Sequence, residues 1–114
     1  PNAETGGKSY LLQRGCKISA KVTYIKTNID TLEKTLKEKF RAPSLILNKY
    51  ERIEINNQVT IRHTFEDENL KMYIIGIHVP TKNKVYEVIL DAASQDKEQC
   101  EIEFNKFLET VSIN

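Results

Sequence analysis

The stretch VYEVILDAASQDKEQCEIEFNKFLETV, residues 85–111, holds both halves of an architecture. It opens on Val85-Tyr86-Glu87-Val88-Ile89-Leu90, a β-branched and aromatic run that reads as a strand. A polar break over residues 91–95 follows. Cys100, Phe104, Phe107, Leu108 and Val111 then recur at i, i+4, i+7, i+8 and i+11, one face of an amphipathic helix over residues 96–111. A strand that feeds such a helix sets its apolar stripe against a sheet, so the chain ends by closing a two-layer domain.

Upstream, Cys16, Ile18, Ala20, Val22 and Tyr24 alternate with Lys17, Ser19, Lys21 and Thr23, a strand with one wet face in an antiparallel sheet. Asn28 or Asp30 can cap the next segment. There Ile29, Leu32, Leu36 and Phe40 repeat at helical spacing until Pro43 stops the helix. Residues 50–56 and 59–66 flank an Asn56-Asn57 turn, residues 70–79 form the next strand, and a hairpin at residues 80–83 leads back into the opening stretch.

A three-residue loop at residues 67–69, with Asn69 left-handed, sets Phe65 opposite Lys71, His63 opposite Tyr73 and Ile61 opposite Ile75. It gathers Val59, Ile61, Phe65, Ile75, Ile77, Tyr86, Val88 and Leu90 on one apolar face. A two-residue loop would split that set. The expected fold is α+β: an antiparallel sheet of about 5–6 strands flanked by two helices, in the order β-α-β-β-β-β-α, with the C-terminal helix packed on the sheet.

The chain has 114 residues, the size of one domain with one core. Residues 1–9, small and polar, read as a flexible leader, and residues 10–114 as the domain. Seventeen basic against sixteen acidic residues leave a formal charge of +1, and the basic side chains are dispersed, which argues against nucleic acid as a partner. No apolar run is long enough to span a bilayer, so membrane contact would need an upstream anchor. The expected state is a monomer.

Searching for chemistry returns little. Gly6-Gly7-Lys8-Ser9 resembles the end of a phosphate-binding loop, but Asn2 stands where the first glycine belongs. Zinc-protease, nucleophile-elbow, dinucleotide and calcium-loop motifs are missing from the sequence. No cofactor or metal is expected, and no catalytic residue is assigned. His63 could pair with Glu51 across strands as an acid–base dyad, although a structural pair is the commoner outcome. His78 points to the face opposite His63, so the two do not share a metal. Cys16 and Cys100 lie on inward faces and could meet in the core. Buried free thiols are the preferred reading. A structural disulfide is the alternative, and it would imply an oxidising compartment.

The element order, the Arg52-Ile53-Glu54-Ile55-Asn56-Asn57 strand and turn, and the Phe104-x-x-Phe107-Leu108-x-x-Val111-Ser112 helix together resemble the PsbP-like family. That group includes photosystem extrinsic proteins, a nuclear Ran-binding release factor, bacterial lipoproteins and secretion-effector chaperones. The resemblance implies an initial hairpin, with an extra strand around residues 10–12, and a binding module rather than an enzyme. It carries over no functional residue.

The leading expectation is therefore a non-enzymatic, extracytoplasmic domain of a bacterial lipoprotein or secreted protein that binds a protein partner or small ligand on its sheet. Thr60, Arg62 and Thr64, with Met72, Ile74 and His78 on the next strand, form the candidate surface. The alternatives are a cytoplasmic chaperone or trafficking factor on the same scaffold, and a small enzyme or protease inhibitor on a cystatin-like or helix-grip sheet.

Overall fold

The computed structural model describes residues 5–13 as backbone and residues 15–110 in full. Val111 and Ser112, expected at the end of the closing helix, lie outside the described residues. The elements are β1 (Thr5–Gln13), β2 (Cys16–Thr23), α1 (Ile29–Lys39), β3 (Leu45–Ile55), β4 (Gln58–Asp67), β5 (Met72–Pro80), β6 (Val85–Ala93), a short 3-10 helix (Ser94–Asp96) and α2 (Lys97–Leu108). Six antiparallel strands run in the order β1-β2-β6-β5-β4-β3. The expected α+β architecture is present, with one more strand in front.

That strand includes residues 5–9, which the sequence reading assigns to a leader. Thr5 pairs with Thr23 and Ser9 with Ser19. Two glycines make this a poor strand by propensity, but β2 offers a complete pairing edge, and tertiary pairing overrides local preference. Gly6-Gly7-Lys8-Ser9 is therefore extended chain in a sheet, not a phosphate-binding loop. Gly15 turns the β1–β2 hairpin at φ +80°, a conformation open to glycine at little cost.

The two helices lie on opposite faces. Asn28 caps α1, its Oδ1 accepting from the Thr31 N–H at 2.8 Å. Leu36 is buried beneath the helix. The Tyr50 hydroxyl donates to the Leu36 carbonyl at 3.2 Å, and Asn48 Nδ2 donates to the Phe40 carbonyl at 2.9 Å, tying both to β3. Replacing Asn28 with Ala is expected to cost about 1 kcal/mol, read as a lower denaturation midpoint with an unchanged urea m-value.

Cys100 and Phe104 of α2, both fully buried, pack on the other face against Cys16, Ile18, Tyr73, Ile75, Ile77, Val79, Val88, Leu90 and Ala92. This is the main core. Cys16 and Cys100 are bonded in a disulfide with their Cα atoms 5.5 Å apart. The preferred reading of two free thiols is corrected: strand register sets Cys16 beside Ala92, directly under the first turn of α2, within bonding reach of Cys100.

The second correction is register. Asn56 and Asn57, at φ 50° and 67°, form the expected two-residue turn. The β4–β5 connection is longer than expected. Asp67 Oδ1 accepts from the backbone N–H groups of Asn69 and Leu70 at 2.9 and 3.1 Å, widening the loop to four residues with Lys71, not Asn69, at positive φ. Phe65 thus pairs with Ile74, His63 with Gly76 and Ile61 with His78. The odd offset turns β4 over relative to β5. Ile75 and Ile77 remain in the main core, whereas Ile61, His63 and Phe65 go to the α1 face.

Candidate functional site

The register decides the fate of the sequence-predicted surface. Thr60, Arg62 and Thr64 face α2, and Met72, Ile74 and His78 face the other way, so the six positions divide between two sides of the sheet. Thr60 and Thr64 are buried, as is His78. Arg62 Nη2 reaches Glu101 Oε2 of α2 at 3.4 Å and its guanidinium lies 6.0 Å from the Phe104 ring centre. Tyr73 donates to Glu101 Oε1 at 2.6 Å, and Lys97 bridges Glu66 at 2.9 Å. These groups are the polar border of the α2 interface, so changing Arg62 would disturb helix docking and not a free surface.

The Glu51–His63 dyad also does not form. Tyr50 is opposite His63, and Glu51 is opposite Arg62. His63 is 1% exposed, stacked on Tyr50 at 4.1 Å between centroids and flanked by Phe40 and Phe65. Its Nε2 meets Asn48 Oδ1 at 2.6 Å, which requires the proton on Nε2. Burial, with the nearby His78, pushes its pKa down to about 4.

Contrary to the sequence reading, the two histidines share a face. His78 Nδ1 is 2.5 Å from Glu87 Oε2, and Glu87 also pairs with Lys21 at 3.3 Å. Burial works against the Glu87 carboxylate, but the bond to His78 and the charges of His78 and Lys21 hold its pKa below the usual range. The His78 ring lies over Gly76, where a Cβ would sit 2.6 Å from Nε2. Glycine here is a packing requirement. A polar track thus crosses the sheet from Lys21 through Glu87, His78 and His63 to Asn48. No group of metal-binding side chains occurs among the described residues.

Of two shallow concave surfaces among the described residues, one of about 450 Å³ lies along the charged side of α1, and the other lies at the sheet end where the β2–α1 connection meets the β3–β4 and β5–β6 turns. A shallow cleft of about 470 Å³ is lined by Ile29, Val59 and Pro80 as apolar floor and by Thr27, Asn28, Asn57, Gln58, Thr81 and Lys82 as polar rim. Val59 there is 46% exposed, and Tyr24 and Ile25, at the end of β2, are 54% and 48% exposed. Lys84 holds the neighbouring aromatic corner, 5.1 Å from the Tyr86 ring centre and 6.0 Å from that of Tyr24. The rim offers hydroxyl, amide and ammonium groups around an apolar floor, the composition of a binding cleft for a short peptide or small polar ligand. Neither His63 nor Glu51 lines it. The sequence signal was available: each of these segments is a polar break, and antiparallel order brings all three to one end.

No family model matches the chain, and neither does any curated protein. Among solved structures, the fold is similar to that of a candidate regulator of unknown function from Pseudomonas aeruginosa, with a TM-score of 0.71 and 11% sequence identity over 100% of this chain and 85% of that one. At that identity the likeness shows the α+β fold alone.

Proposed function

We propose that this chain is a non-enzymatic, extracytoplasmic binding domain of a bacterial lipoprotein or secreted protein, which recognises a protein partner or small ligand in the cleft around Val59. The observation that carries the reading is the buried Cys16–Cys100 disulfide, because such bonds persist in oxidising compartments and are rare where thiols are kept reduced. The PsbP-like resemblance of the sequence, which implies a binding module, supports it as well.

The test is photocrosslinking in the protein's own cells from a photoreactive residue placed at Val59 of the full-length product, followed by fractionation. An irradiation-dependent adduct in the membrane-associated or secreted fraction is the expected result. Protein confined to the cytoplasm would overturn the reading and favour the chaperone. An extracytoplasmic protein without an adduct would overturn the cleft as its binding surface.

A further inference from the structure

We infer that β3 is a self-association edge, through which two copies of this chain join their sheets antiparallel about a two-fold axis at Tyr50. In the strand order β3 is an outer strand, and among the described residues only β4 pairs with it. The two-residue turn closes on the pair Ile55 and Gln58. Such turns make that pair hydrogen-bonded, so alternate residues back to Leu47 direct their backbone groups to β4. Glu54, Arg52, Tyr50 and Asn48 direct theirs outward. The bulge between Leu45 and Leu47 marks the end of the regular edge.

Charges on an outer strand ordinarily keep other strands away. On β3 they instead select one self-pairing. Sheet faces stay continuous only when the residues set opposite each other lie on the same face, so the axis must pass through a residue. Centred on Lys49, Glu51 or Arg52, the pairing sets that charge against itself; centred on Ile53, it sets Arg52 opposite Glu54 but runs into the Asn56-Asn57 turn and keeps fewer backbone bonds. Centred on Tyr50, it sets Lys49 opposite Glu51 of the second copy, and does so twice. It also sets Leu47 opposite Ile53 and Asn48 opposite Arg52.

The outward backbone groups fall in register, giving about six N–H···O bonds over the central residues. Lys49 and Glu51, whose side chains are 60% and 41% exposed and 3.6 Å apart, are free to exchange their mutual pair for two pairs across the axis. Leu47, 37% exposed, gains apolar cover. The same axis sets the two α1 helices antiparallel on one face. Each then presents its acidic first turn, with Asp30, toward the basic last turn of the other, with Lys37 and Lys39. This assembly replaces the monomer expected from the sequence and does not depend on the compartment proposed above.

The test is sedimentation equilibrium on the oxidised protein, on Lys49→Glu, on Glu51→Lys and on the double exchange. Each single change sets like charges together at both symmetric positions and is expected to weaken self-association roughly tenfold or more. The double exchange restores opposite charges and is expected to return Kd to within a few-fold of the original. Circular dichroism checks that the singles fold. A parent protein with Kd weaker than about 1 mM, single variants that associate as well as the parent, or a double variant no tighter than the singles would each overturn the inference.

Discussion

Replacing Cys16 and Cys100 together with alanine, or reducing the bond, is expected to lower stability by about 4–5 kcal/mol, the chain-entropy cost of freeing a loop of this size. The two cysteines are 84 residues apart, so the bond joins β2 to α2 and closes most of the domain. Global stabilities of such domains are about 5–15 kcal/mol, so the loss is a large share of the total. Alanine is the substitution of choice because both positions are at most 1% exposed and a serine hydroxyl there would lack water. Urea melts of oxidised, reduced and double-alanine protein supply the check. Equal midpoints would show that the Phe104 core holds α2 without the bond.

The second large effect is acid sensitivity through His63. Its folded pKa, about 4, lies below its unfolded value of 6.5, so between these limits the unfolded chain binds more protons. Stability from this group is complete above pH 6.5 and falls as pH drops toward 4, by about 3 kcal/mol in all. Other groups can be separated. The Glu66 and Glu87 carboxylates, held low, lose their stabilisation only below their own unfolded range, and Asp91, raised by burial, acts in the opposite direction. Denaturant midpoints measured from pH 7.5 to 4 should decline in the parent and run nearly flat in His63→Gln, from a lower plateau. A parallel decline in both would assign the slope to the carboxylates.

Both effects rest on features that the sequence showed unevenly. The α1 segment was legible because its cap, its apolar spacing and Pro43 agree, and the Asn56-Asn57 turn because asparagine tolerates positive φ. The β4–β5 loop was not. Asp67 can close a three- or a four-residue loop with equally ordinary chemistry, and the choice is made by packing on two faces at once. The single apolar face expected for Ile61, Phe65 and Ile75 had no place for Phe40 and Tyr50. The structure gives those aromatic rings a second, smaller core around His63. That one offset turned Thr60, Arg62 and Thr64 to the α2 face and so split the predicted surface. β1 was missed for the opposite reason, since its residues become a strand only when β2 is beside them.

The disulfide joins the fold to its proposed setting, and the most direct test is its state in the cell. Native protein is trapped in acid, alkylated without reductant and weighed intact. Neither Cys16 nor Cys100 is expected to be alkylated, and both are expected to be after reduction in denaturant. Two alkylated cysteines without reduction would contradict both the locked core and the extracytoplasmic reading built on it.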